Sequence, residues 1–224
     1  MADTILLYRY MDSSAALRTI ESRAFRVTRL HGLNDPFEWR PGVTNVIPRG
    51  EEIARAATEK SVAHMDSWMG VLCFSDTVAE PVLWSHYADK HRGVSFEVDY
   101  ERREDHLFKM DYTETRPVID ANRLLNNEGL SDYFGQMLKK LMRQKSSGWS
   151  YEREYRVHIE LEVCQISAGQ YLMRIPDNFL KRVILGFQCP LEELYVKRAL
   201  EKSGLGSTEV VRAKRCLETY AIRC

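Results

Sequence analysis

Short runs of alternating or near-continuous apolar residues, interrupted by a few stretches of helical periodicity in no regular order, limit what this chain can fold into. The strand-like runs fall at 4–10 (TILLYRY), 24–30, 70–76, 93–99, 107–114, 154–163, 170–175, 181–187 and 209–216. Alternation at period two is the pattern of a half-buried strand. Helical spacing occupies 12–23, 50–65, 131–145 and 190–204. In the first of these, Asp12 and Ser13 are candidate caps, and Ala16, Leu17 and Ile20 share a face. In the third, Tyr133, Phe134, Met137, Leu138 and Leu141 form one stripe. The fourth starts at the helix-compatible Pro190 and stops at Gly204. Because strands and helices do not alternate, the expected class is α+β, a mixed or antiparallel sheet with flanking helices, over a doubly wound parallel sheet. No linker or repeat divides the chain, so one domain over 1–224 is expected.

Charge excludes little but weights the choices. Thirty-two basic residues balance thirty-two acidic ones, so there is no bulk attraction to nucleic acid or an anionic membrane. The basic runs 138–145 and 210–215 interleave apolar residues and read as solvated faces of a helix or strand. Cys73, Cys164, Cys189, Cys216 and Cys224 are odd in number and form no CxxC, which suits reduced thiols and not a zinc knuckle. The start of the chain reads as neither signal peptide nor membrane span, so a soluble, cytoplasmic protein is expected. GxGxxG, GxxxxGK[ST] and GxSxG motifs are absent. Two stretches, 34–50 and 144–149, are rich in loop formers, and loops of that length are often functional.

Polar residues gather at several places. Arg9 sits inside an apolar strand between Tyr8 and Tyr10, and must either snorkel to water or meet an acid. Asn34 and Asp35 precede Pro36, which favours an Asx-type turn. Ser75 and Asp76 end a strand, where a serine can bond a ligand or close a turn. Residues 81–93, PVLWSHYADKHRG, suggest a short helix beginning at Pro81. It carries Trp84, Ser85, His86 and Tyr87; either Trp84, Tyr87 and the histidines wall a pocket for a flat ring, or Trp84 and Tyr87 dock into the core. His86 and His91 are five apart, which does not suit two metal ligands on one helix face, so no metal is expected.

The stretch 149–157, WSYEREYRV, carries Glu152, Glu154 and Arg156 at alternate positions. On a strand these share a face, and the plain expectation is a wet outer surface. A carboxylate pair two apart can also divide labour, one member holding a hydroxyl and the other stabilising a cation at a sugar carbon.

Taken in order, LLYRY, LNDPFE, LCFS, VLWSHYADKHRGVSFEVD and WSYEREYRV resemble the markers of a family of bacterial and phage proteins known as a domain of unknown function, over about residues 6 to 187. A second resemblance implies a chemistry. ADP-ribosyltransferases of the Arg–Ser–Glu type carry an arginine on the first core strand, a serine on a later strand and ExE on a strand further on. Arg9, then Ser75 or Ser85, then Glu152 and Glu154 follow that order. The resemblance implies a split-sheet α+β fold and NAD as co-substrate, with Arg9 on the pyrophosphate and Glu154 on the nicotinamide-ribose 2′-hydroxyl. Glu152 would orient an acceptor, which could be protein, nucleic acid or water. Tyr10, Asn34, Trp84, Ser85, His86, Tyr87 and Arg156 complete the expected binding set. The role implied is that of a toxin or anti-phage effector, for which an inhibitor protein would be a partner. Two alternatives stand beside it: a non-catalytic nucleotide- or protein-binding module, and a metal-dependent nuclease using Asp35, Glu152 and Glu154.

Overall fold

The computed structural model describes residues 4–44, 50–101, 106–121 and 130–224. Residues 45–49 of the first loop stretch, and the side chain of Phe134, lie outside the described residues. One large sheet carries the architecture. Its strands are β1 (Thr4–Met11), β2 (Thr28–Arg29), β3 (Met69–Ser75), β4 (Val94–Glu101), β5 (Leu107–Lys109), β6 (Glu154–Glu160), β7 (Leu180–Leu185) and β8 (Glu209–Arg212). The order is β8-β7-β4-β1-β3-β6-β5, with β2 also paired to β3. Neighbours run antiparallel except β7 and β8, so the sheet is mixed and the class is α+β. Smaller two- and three-stranded pieces surround it.

Alternation along the strands decides which helices cover which face. Leu72 and Phe74 of β3, Val94, Phe96 and Val98 of β4, and Val183 and Leu185 of β7 point to one core, with Phe25 beside them. That core is closed by α1 (Ser13–Ser22) through Ala16 and Ile20 and by α5 (Glu193–Lys202) through Val196 and Leu200. Asp12 caps α1, its Oδ1 accepting from the Ala15 amide at 2.7 Å. The opposite face holds two separate clusters. Val71 packs with Val62 of α2 (Gly50–Trp68) and with Met137 and Leu141 of α4 (Leu130–Arg143). Trp84 and Ala88, on and after α3 (Pro81–Tyr87), pack with Ile184, Ala213 and Ile222.

Several expected boundaries move, that of the last helix for an identifiable reason. The last helix begins at Glu193, not Pro190. The Arg212 guanidinium donates to the carbonyls of Gly186, Cys189 and Leu191, which fixes that approach as loop. The strand expected over 154–163 stops at Glu160, and a 3-10 turn takes Leu161–Val163.

The sheet splits between β1 and β3. These neighbours share a single paired position, Tyr8 with Ser75, while β2 pairs with β3 further along at Val71 and Gly70. Arg9 fills the wedge where the strands part. Its guanidinium donates to the carbonyls of Cys73 at 3.0 Å and Arg26 at 2.8 Å, and sits over the rings of Phe25 and Phe74. Arg9 pairs with no acid among the described residues, and backbone carbonyls serve its half-buried guanidinium instead.

Helix α3 ends in an unusual turn. Asp89, Lys90 and His91 all take positive φ, at 43, 54 and 68 degrees, a conformation that costs non-glycine residues energy. Trp84 holds the turn: its Nε1 donates to the Val78 carbonyl at 2.8 Å, its ring stacks on His91, and Tyr10 meets its edge. Gly93 and Gly186 allow the backbones to close up, since a Cβ would stand 2.2 Å from the Met11 carbonyl oxygen and 2.1 Å from that of His91. Trp84→Ala should therefore lower unfolding stability by about 3–5 kcal/mol, read from urea denaturation; a loss below 1 kcal/mol would contradict its place as the anchor of this turn.

Candidate functional site

The open wedge of the sheet, flanked by the α2–α4 cluster and the α3 cluster, forms a cavity of ≈ 230 Å³. Tyr8, Arg9 and Tyr10 of β1, Ser75 and Cys73 of β3, Glu154 and Arg156 of β6, and Glu152 just before β6 line it. The pairing register explains the convergence. Tyr8 lies opposite Ser75 and Ser75 opposite Glu154, so one row crosses three adjacent strands. Arg9, next to Tyr8, reaches the same cavity from the wedge beneath.

The ExE segment differs from the expected wet strand. Residues Ser147–Glu152 form a 3-10 turn, Arg153 takes φ of 47 degrees, and the strand starts only at Glu154. Glu154 and Arg156 do share a face, but that face is buried, Arg156 to 1% exposure. Five charges make a closed cluster there. Lys145 Nζ lies 2.5 Å from Glu152, 3.1 Å from Glu154 and 3.2 Å from Glu38. Arg156 donates to both oxygens of Glu154, at 2.7 and 2.9 Å, and lies 2.5 Å from Glu38.

The cluster extends outward through Tyr87, whose hydroxyl donates to Glu152 and accepts from Asn34 Nδ2 at 2.5 Å. The Glu154 amide donates to the Tyr112 hydroxyl at 2.8 Å. Thus NDPFE, WSHYA and YEREYR, distant in the chain, become one hydrogen-bonded network. Lys145 and Glu38 were not singled out by sequence reasoning. Lys145 belongs to a basic run that reads as a solvated helix face. It escapes that face because α4 ends at Arg143 and Gln144–Ser146 pair as a strand with Asp111–Thr113.

Burial and charge pull the carboxylates apart. Burial pushes Glu154 up, but Arg156 and Lys145 outweigh it and hold the group at about 2. Burial and the Glu154 charge keep Glu152 above the ordinary carboxylate range, against the pull of Lys145. Burial alone would lower Lys145, yet Glu154 and Glu38 raise it. The Arg9 guanidinium is lowered, chiefly by burial. An acid near 2 and a neighbour pushed upward are two different tools in one cavity.

The remaining expected residues fall in three places. Asn34 and Tyr87 line the cavity, and Ser75 does so while its Oγ accepts from the Thr77 amide at 3.2 Å, closing a turn. Tyr10 lines it and donates to the Thr77 carbonyl. Trp84 does not: it is fully buried in the α3 core. Ser85 and His86 are exposed on the outer side of α3, His86 meeting the Tyr151 hydroxyl at 3.1 Å. Of the two candidate serines, then, only Ser75 lines the cavity.

A family model described as "Protein of unknown function (DUF2971)" matches residues 83–157. That stretch holds Tyr87, Lys145, Glu152, Glu154 and Arg156, and excludes Arg9, Asn34, Glu38 and Ser75. No curated protein and no solved structure matches the chain. Among the described residues no helix is long and apolar enough to cross a membrane.

The cluster sets a stability test. Glu154 is depressed on folding, so its contribution is full above about 4.5 and is lost as pH falls towards 2. Removing the ammonium leaves three buried carboxylates with one cation. Lys145→Met should cost about 3–5 kcal/mol at pH 7, and the deficit should shrink between pH 4.5 and 2 in acid-dependent urea denaturation; a pH-independent deficit would contradict the cluster.

Proposed function

We propose that this protein is an NAD-consuming enzyme of the ADP-ribosyltransferase kind, acting in the cavity between β1, β3 and β6. The observation that carries the reading is the single row Tyr8–Ser75–Glu154 across three adjacent strands, with Arg9 and Glu152 bordering the same cavity. An arginine, a serine and ExE converge there in the order that reading requires.

The chemistry divides among these side chains. Arg9 uses two of its donors on carbonyls and has no carboxylate among the described residues, so its charge is available to an anion such as a pyrophosphate. The cavity is smaller than the ~300–1,000 Å³ that usually encloses a whole drug-sized ligand. It suits the nicotinamide-ribose half, the adenosine lying outside. Glu154 stays ionised beside a developing oxocarbenium ion, because Arg156 holds it so. Glu152 accepts from Tyr87 and Lys145 and retains lone pairs for a hydroxyl or an acceptor. Lys145 is the partner Glu154 can release, since it keeps Glu38 and Glu152. In the step, the bond from ribose C1′ to the pyridinium nitrogen breaks and its electron pair leaves with neutral nicotinamide. The acceptor then bonds C1′ and loses a proton, for which Glu152 is the placed base.

A second reading has its own support. The carboxylates are so fully engaged by Lys145 and Arg156 that the cluster would also serve a nucleotide-binding module without turnover. A nuclease built on Asp35, Glu152 and Glu154 has less, because Asp35 lines a different cavity from the two glutamates.

Incubation with NAD, following nicotinamide by chromatography, separates these readings. Wild type should release nicotinamide, and Glu154→Gln, which leaves two cations facing two carboxylates, should reduce release at least about a hundredfold while melting as a folded protein. Binding of NAD without release would favour the module. Equal release by the variant would remove the enzymatic reading.

A further inference from the structure

Beyond Lys145 lies a second cavity, of ≈ 200 Å³, whose lining includes Asp35, Glu38, Trp39, Glu114, Arg116 and Lys145. Lys145 borders both cavities, so its side chain is part of the wall between them. Asp35 is 3% exposed. Its Oδ1 accepts from the Phe37 amide at 2.9 Å, which makes the Asx-type turn expected of NDP. Its Oδ2 is buried and has no hydrogen-bond partner. A buried carboxylate oxygen left without a donor is costly, so this one calls for an N–H or O–H from something that enters the cavity.

The charges around it select what that is. Three carboxylates, of Asp35, Glu38 and Glu114, face two cations. Both cations are engaged elsewhere. Lys145 is drawn to Glu152 and Glu154 as well as Glu38, while Arg116 donates to the Pro41 carbonyl at 3.0 Å and lies over the Phe37 ring. Glu38 meets its two cations by proximity, and neither of its oxygens has an aligned hydrogen bond. Asp35, buried and with no ion pair among the described residues, and the exposed Glu114 therefore leave the cavity negative at its floor and at its mouth. Among the described residues no group of three acidic, histidine or cysteine side chains is arranged to hold a metal ion. Trp39 and Phe37 in the lining suit an organic cation better than a hydrated metal.

We propose that this second cavity is a binding subsite for a small organic cation, an ammonium or guanidinium head group donating to Asp35 Oδ2. The subsite does not depend on the NAD reading, and its test uses no nucleotide. The probe is n-propylguanidinium chloride, titrated into the full chain and followed by NMR at the Trp39 indole N–H, identified by loss of its signal in Trp39→Phe. Butyramide serves as a neutral comparison and magnesium chloride as a metal comparison.

The expected result is a saturable shift with the guanidinium and binding at least about tenfold weaker for the amide. Asp35→Asn keeps an oxygen for the Phe37 amide and turns the unpartnered acceptor into a donor, so affinity should fall at least about tenfold with the melting temperature retained. Glu114→Gln, at an exposed position, gives a second variant that keeps the fold and should weaken binding by about threefold. Non-saturable shifts in wild type, equal affinity for butyramide, an equivalent saturable response to magnesium, or unchanged affinity in Asp35→Asn would overturn the subsite.

Discussion

The contact between Lys145, Arg156 and three buried carboxylates organises the functional half of this molecule. Each of those charges loses several kcal/mol of hydration on burial, so any member left alone would be intolerable. The cluster is stable only while each buried charge keeps an opposite neighbour, and that requirement has a geometric consequence. Glu38 comes from the loop after β2, Lys145 from beyond α4, Glu152 from a 3-10 turn and Glu154 and Arg156 from β6. Satisfying all five fixes those segments against one another. Two cavities on either side of Lys145 are the result.

The second constraint is the split in the sheet. A continuous sheet between β1 and β3 would fill the space with paired backbone and leave no wedge. Here one pair, Tyr8 with Ser75, holds the strands, and the Arg9 guanidinium satisfies carbonyls that a neighbouring strand would otherwise serve. Arg9 is thus a structural part of the split, and it also borders the cavity. It plugs the opening and leaves a half-buried positive charge at the edge of a cavity rich in carboxylates. Tyr87 connects this centre to α3, while the strained turn after α3 is fixed by Trp84 well away from it. The WSHYADKHRG segment accordingly divides into one residue that touches the centre and several that hold the backbone that delivers it.

Much of this was readable from residue order. Period-two alternation located the strands of the large sheet and the α+β class, because apolar residues on one face of β3 and β4 must meet a core. The Asx turn at Asp35 and the cap at Asp12 followed from side-chain chemistry acting within three residues. What failed depended on distant partners. Glu154 and Arg156 look like a wet face locally, and only their meeting with Lys145 and Glu38 makes burial bearable. Lys145 looks like its exposed neighbours Lys139 and Lys140, and differs because the helix ends before it. Trp84 and His86 sit two apart on one short helix, yet a rotation of about 200 degrees sends one into the core and the other to solvent. Neither lines the cavity, which Tyr87 of the same helix reaches instead.

The most direct test of the account is a crystal structure of the protein grown or soaked with ADP-ribose, which carries the pyrophosphate and the ribose but no leaving group. The pyrophosphate should lie within hydrogen-bonding distance of the Arg9 guanidinium and the terminal ribose beside Glu152 and Glu154, with Lys145 drawn away from Glu154. Ligand bound at another surface, or a cavity still closed by Lys145 at saturating concentration, would contradict it.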